Sequence, residues 1–190
     1  MPQPQIFWRY FTPVLLVILF FIIVGILLIP KYTQSIAIKD ATEQGILMAE
    51  RLKVLRGYYT EKVINKVISQ QNVQVSYDHL EQQNTIPLPA TLIHDLSDIY
   101  SKDNTTIKLY SNYPFPFRAQ RKLDTFELNA WQQLAQNKEQ VLSTVEHQGG
   151  EVFVRTAIAD TMSKQACLDC HNSHPDSPKI DWQLHDVRGV

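Results

Sequence analysis

The chain has 190 residues, enough for one membrane segment and one compact domain. Eighteen Lys and Arg against 19 Asp and Glu leave a net charge of -1, which argues against nucleic acid as a partner. The two cysteines are three positions apart, which excludes a scattered disulfide framework.

Residues 1–10, with Arg9, precede an uncharged run over 11–29. About 20 apolar residues cross a bilayer as a helix, and Trp8, Tyr10 and Tyr32 flank the run where interfacial aromatics sit. A cleaved signal peptide has a shorter apolar run and small residues at its cleavage site. Ile29-Pro-Lys-Tyr-Thr33 has no such site, so residues 11–30 read as a retained transmembrane anchor. Arg9 on one side and Lys31 and Lys39 on the other leave the orientation undecided by charge.

Residues 34–69 read as one long helix. Ile38, Ala41, Gly45, Met48, Leu52, Leu55, Tyr59, Val63 and Val67 recur at steps of three and four, an apolar stripe of helical period. Glu43, Glu50, Lys53, Glu61 and Lys62 lie off it. Residues 31–70 are thus expected to carry the anchor on into a juxtamembrane signalling helix, with residues 71–190 as the domain.

Within that domain, Val73 to Tyr77 form a short strand, and Pro87 and Pro89 mark a loop and then a helix start. Leu92, Ile93, Leu96, Ile99 and Tyr100 give that helix an apolar face. The β-branched run Thr105 to Tyr110 predicts a strand. Asn112-Tyr-Pro-Phe-Pro-Phe117 suits neither helix nor central strand. Leu123, Phe126, Leu128, Ala130, Trp131 and Leu134 predict another helix. Val141 to Glu146 and Val152 to Ala159 flank Gly149-Gly150 as a hairpin. The tail from Cys167 is turn-rich. The expected class is α+β: a long N-terminal helix packed on a small antiparallel sheet, with two shorter helices and a C-terminal loop.

That loop carries Cys167-Leu-Asp-Cys170-His171, a C-x-x-C-H signature of c-type haem attachment. Two thiols at this spacing reach two vinyl groups of one porphyrin, and the next histidine supplies an axial nitrogen. The expectation is one covalent haem c on Cys167 and Cys170, with His171 on the iron. Three readings compete. A redox-active C-x-x-C pair needs a low thiol pKa and a βαβ setting that the sequence does not offer. A zinc site on Cys167, Cys170, His171 and His174 must bend adjacent residues onto one tetrahedral ion. A local disulfide is the third. Covalent haem attachment takes place on the exported side of bacterial membranes. The motif therefore orients the chain with its N-terminus in the cytoplasm and its haem domain outside the inner membrane.

The second axial position is open. Both cysteines are used, and His174 shares the segment of His171. His94 lies off its helix's apolar face and reads as a surface histidine; His79 and His147 fall near turns. Met48, otherwise a core filler, and His185 are the candidates. An empty position would suit a small gas. Arg56, Arg118, Arg155 and Arg188 are candidate partners of the haem propionates, and Trp182 and Phe153 pack on the porphyrin edge or in the core. Asp160, Asp169, Asp176 and Asp181 read as solvated loop acids. No catalytic dyad or triad is evident, so no enzymatic activity is expected.

Five stretches carry more than the short motif. They are Arg56-Gly-Tyr-Tyr-Thr60, Pro87-Leu-Pro-Ala-Thr-Leu-Ile-His-Asp-Leu96, Tyr110-Ser-Asn-Tyr-Pro-Phe-Pro-Phe-Arg118, Cys167-Leu-Asp-Cys-His-Asn-Ser-His-Pro-Asp-Ser-Pro-Lys179 and Asp186-Val-Arg-Gly-Val190. Together they resemble a family of c-type haem-binding, PAS-like sensor domains, found outside the membrane ahead of histidine kinases, nucleotide cyclases and chemotaxis transducers. The resemblance covers residues 49–190. It implies a PAS-like sensor with haem on Cys167 and Cys170, His171 as axial ligand, and pairing of two copies through the long helix. Family members commonly continue past the Asp-Val-Arg-Gly-Val block into a second span and an output domain. The chain thus reads as the input part of a transducer or as a free-standing haem protein. The expected function is a membrane-anchored sensor of redox state or of a small ligand. A membrane-tethered electron carrier with a fixed six-coordinate iron is the alternative.

Overall fold

The protein is represented by a computed structural model, and the structure describes residues 4–69, 72–103 and 105–190. The chain divides into two units, Met1–Glu43 and Gln44–Val190. Helix α1 (Pro4–Tyr59) begins in the first and ends in the second.

In the first unit α1 contains Pro13 and Pro30. Each proline lacks an N–H and leaves the carbonyl four residues before it, that of Arg9 or Ile26, without its helical donor, while nearby threonine hydroxyls bond back to other carbonyls of the helix. Thr12 Oγ1 donates to the Trp8 carbonyl at 2.7 Å and Thr33 Oγ1 to that of Ile29 at 2.8 Å. The apolar side chains from Val14 to Ile23 and from Ile26 to Ile29 stand exposed. An uncovered apolar surface of this extent marks an interaction or membrane surface. Among the described residues α1 is the one helix long and apolar enough to cross a membrane, and it is a candidate span.

In the second unit the buried line of α1 departs from the expected stripe. Leu55 is 43% exposed, while Leu52, Thr60 and Ile64 are buried and Arg56 half-buried. This line carries on through a π turn, Thr60–Ile64, that follows α1 and leads into α2 (Asn65–Ile68). A step of four residues overshoots one α turn and undershoots one π turn. Positions 52, 56, 60 and 64 therefore stay on one side of the helix.

Strands β1 (Gln74–Ser76) and β2 (Thr85–Pro87) pair in parallel. The turns between them end at Asn84, whose φ of 55° is left-handed. Helix α3 (Pro89–Tyr100) starts on a proline, where a missing N–H costs nothing. It buries Thr91, Ile93 and Ser97, and Ile99 of the expected apolar face is exposed.

Residues 105–110 are not the expected strand. Ser97 Oγ donates to the Ile107 carbonyl at 2.5 Å and accepts from the Ile107 N–H at 3.3 Å. A side chain thus serves this backbone where a neighbouring strand otherwise would. Tyr110 alone in this run exchanges two backbone bonds with Val190, at 3.1 and 2.9 Å.

Helix α4 (Thr125–Gln136) is opened by a capping box: Asp124 accepts from Glu127 N–H, and the Glu127 carboxylate accepts from Asp124 N–H. Strands β3 (Val141–Gln148) and β4 (Glu151–Ile158) form the expected hairpin. Gly149 and Gly150, with φ of 62° and 87°, provide the two left-handed positions of a type I′ turn. The chain then runs through Ala159 into β5 (Asp160–Thr161), which pairs antiparallel with β6 (Val187–Gly189) across an irregular register. In place of the expected single antiparallel sheet, the described residues form three two-stranded pairs, one of them parallel.

One core cluster gathers Tyr110, Ala130, Trp131, Leu134, Ala157, Ala159 and Val190, with Leu123, Phe126, Leu142 and Val187 against it. The C-terminus is locked into it. A Cβ on Gly189 would lie 2.5 Å from the Tyr110 carbonyl oxygen, so only glycine allows that approach. Gly189→Ala is expected to destabilise the domain by about 1–3 kcal/mol, the usual cost of overpacking, read as a lowered denaturant midpoint.

Candidate functional site

The cysteine motif lies on a helix, α5 (Gln165–Ser173), and not in the expected turn-rich loop. Positions 167, 170 and 171 stand at i, i+3 and i+4, which brings their side chains to one side of the helix. Leu168 is buried beside them against Met162 and Trp182, and half-buried Cys167 packs on the same cluster. Asn172 pins the following loop: its amide donates to the Trp182 carbonyl at 3.0 Å and its carbonyl accepts the Trp182 N–H at 3.0 Å.

Both thiols are free, and Cys170 is exposed at its surface. Burial, helped by Cys167 and opposed by Arg188, raises the Cys170 pKa. A reactive C-x-x-C pair needs the reverse. Among the described residues no three His, Cys, Asp or Glu side chains are gathered around one point as an ion would require.

His171 is half-buried beside the edge of Phe115, with ring centroids 5.4 Å apart. Its Nε2 lies 3.2 Å from Arg188 Nη1. A guanidinium has no acceptor, so Nε2 accepts and the ring proton is assigned to Nδ1. Burial, then the Arg188 charge, push the His171 pKa down to about 4, so the ring is neutral at pH 7.

Behind Arg188 stands Asp160, 3% exposed. Its Oδ2 accepts from Arg188 Nε at 3.1 Å and from Nη2, and its Oδ1 accepts from Arg56 Nη2. Burial pushes the Asp160 carboxyl up, but the Arg188 and Arg56 charges and hydrogen bonds outweigh it and hold the pKa at about 2. Asp160 is thus a buried anion between two cations and not the solvated loop acid that the sequence reading expects. Arg56 lies on α1 just ahead of the π turn. Lys164, at the start of α5, reaches Glu61 of that turn at 3.5 Å.

Aromatic rings continue the surface beside His171. Phe115 meets His174 at 5.2 Å and Phe117 at 5.7 Å, and Tyr77 stacks on Phe117 at 4.1 Å with the planes 6° apart. Tyr77 and Phe117 are exposed. Arg118 borders this wall, 5.8 Å over the Phe117 ring.

The other expected site residues are distributed differently. Met48 is half-buried about 12 Å along α1 from Arg56, by helix rise. Gly45, one turn before it, faces Thr156 of β4. His185 has a left-handed φ of 69° and lines a cleft of about 240 Å³ with Glu50, Lys53 and Lys138. Arg155 is committed to Asp124 at 2.8 Å and Glu146 at 2.9 Å, and lies over Phe126. Phe153 is exposed on the hairpin, whereas Trp182 is core. His79 Nε2 lies 3.4 Å from Asp95. His94 is half-buried and not a solvated histidine; burial, then Arg118 and Arg121, push its pKa down to about 4. Sequence reasoning misses Asp160 and Phe115 as neighbours of His171, although Arg188 and Phe115 both fall in the blocks that carry the family resemblance.

Removing the carboxylate leaves two cations facing each other, so Asp160→Ala is expected to cost about 3–5 kcal/mol in urea unfolding. His94 supplies a pH test. Its folded pKa lies below the ordinary 6.5, so its contribution to stability is complete above pH 6.5 and is lost as pH falls towards 4. His94→Gln should remove that part of the slope in unfolding free energy between pH 6.5 and 4.

No curated protein and no solved structure matches the chain. Residues 33–190 match the family model described as Tll0287-like. That match takes in the motif helix, the Asp160 centre, the aromatic wall and the second unit of α1, and the chain belongs to the Tll0287-like family.

Proposed function

We propose that this chain is a membrane-anchored c-type haem sensor. One haem is covalently attached through Cys167 and Cys170, with His171 as an axial ligand. Residues 11–30 anchor it with the N-terminus in the cytoplasm and the PAS-like domain on the exported side of the inner membrane. The observation that carries the sensing role is the connected set His171, Arg188, Asp160 and Arg56. It runs from the candidate iron ligand to α1, the helix that contains the candidate span.

The donor set fits the group. Two free thiols and a neutral imidazole share one side of α5. The half-exposed wall of Phe115, Phe117 and Tyr77 offers an apolar surface to a flat macrocycle, and Arg118 at its border offers a propionate partner. When bound, haem supplies a one-electron couple and an iron position for a second ligand. The protein's part is to hold His171 neutral and oriented, and to place the Arg188 and Arg56 guanidiniums behind it. A change of charge or ligation at His171 is then felt by Arg188 and, through Asp160, by Arg56. A two-state response of α1 to that change is what a transmembrane signal requires.

Co-expression with a c-type maturation system should give an intact mass larger by one haem, and Cys167→Ser with Cys170→Ser should abolish the increase. Zinc in place of iron in that preparation would overturn the haem reading. Hydrogen exchange over residues 56–68 should differ between ferric and ferrous protein. Equal exchange, with no carbon monoxide binding, would point instead to a tethered electron carrier.

A further inference from the structure

The bond between Arg188 Nη1 and His171 Nε2, at 3.2 Å, has a chemical consequence. An imidazole nitrogen has one lone pair in the ring plane. Because the guanidinium can only donate, the Nε2 lone pair is the acceptor. The same lone pair is what a metal would need. We infer that Arg188 is an internal competitor for His171. The Arg188–His171 hydrogen bond and metal ligation by His171 exclude each other, and ligation releases one guanidinium N–H while Arg188 stays anchored on Asp160.

The anchoring gives the competition its character. Arg188 engages Asp160 Oδ2 through both Nε and Nη2, which leaves Nη1 as the nitrogen aimed at His171. Two N–H groups of one planar guanidinium converge on that oxygen, so Nη1 is presented to the imidazole by an anchored group and not by a free side chain. The Asp160 side chain is 5% exposed and that of Arg188 15%, and Asp160 is also held by Arg56. The released N–H thus lies in a low-dielectric setting beside the aromatic wall, where an unpaired donor is costly. It must find a new acceptor, and a carboxylate of the ligand is of the right chemistry. In this way Arg188 is a positioning residue: it holds the imidazole oriented until the metal takes it. The inference deepens the haem reading and draws its biological meaning from it, but the hydrogen bond can be tested without haem.

The test uses the full chain expressed without a c-type maturation system and treated with diethyl pyrocarbonate at pH 7. Acylation needs the free Nε2 lone pair, and peptide mass spectrometry reads each histidine separately. Arg188→Lys keeps a cation for Asp160 but cannot serve Asp160 and His171 together, because an ammonium lacks the planar fork. Acylation of His171 should rise about tenfold in Arg188→Lys, as expected for loss of one charge-assisted hydrogen bond. Half-buried His94 reports on opening of the domain, and its rate should be unchanged. An unchanged rate at His171 overturns the inference, and so does a rise shared by His94. Arg188→Gln is the second variant; both are treated well below their melting temperatures, with the wild-type circular dichroism spectrum showing that the fold is kept. A failed mass increase under co-expression would sink the haem reading alone; an unmoved acylation rate would sink the competitor alone.

Discussion

Asp160 between Arg56 and Arg188 is the interaction on which the rest of the domain depends. It joins three parts of the chain: α1, the strand that continues the hairpin, and the C-terminal strand. Burying a carboxylate is unfavourable by itself, as the upward push on its pKa records, and two guanidiniums reverse that push. Burial and the nearby Arg188 charge lower the Arg56 pKa, while burial pulls that of Arg188 down and the Asp160 carboxylate more than offsets it. The cluster carries a net positive charge, and that charge faces the side of α5 that bears the motif. Burial first, and then this charge, keep His171 neutral: an imidazolium there would face the Arg188 guanidinium.

The rest of the site is built around this centre from short, well-satisfied pieces. α5 is only nine residues long and has no side-chain cap at its start. Its stability comes from Leu168 in the Met162–Trp182 cluster and from the paired hydrogen bonds of Asn172 to Trp182. Tyr113 meets the Trp182 ring edge-on at 5.4 Å, which ties the Pro-Phe-Pro-Phe segment to the same cluster. That segment places Phe115 against His171 and Phe117 against Tyr77. The π turn beside α5 adds a local departure from regular helix, and such turns occur frequently at functional sites.

Much of the fold was legible because its signals are local. The apolar run of α1, the Gly149-Gly150 turn and the Pro89 helix start each follow from a few adjacent residues. The failures have a common cause in longer-range partners. Thr105 to Tyr110 has strand composition, yet Ser97 from the preceding helix takes the backbone bonds of Ile107 and Val190 those of Tyr110. The stripe on α1 was read with a constant period, and the π turn changes the period at Thr60. Arg155 looked free for a ligand, and the hairpin register sets it opposite Thr144 and within reach of Glu146, Asp124 and Glu127.

The sequence by itself determined the chemistry on offer: two thiols and an imidazole at fixed spacing, and an apolar run long enough for a bilayer. Those properties depend on neighbours within four residues or on composition, which no fold can alter. Only the tertiary structure decided what surrounds the imidazole. Arg188 is 17 residues from His171, and Asp160 is 28 residues from Arg188 and 104 from Arg56. No local rule predicts that these four side chains meet. Their meeting sets the protonation of His171, gives its Nε2 a competing partner and connects it to α1.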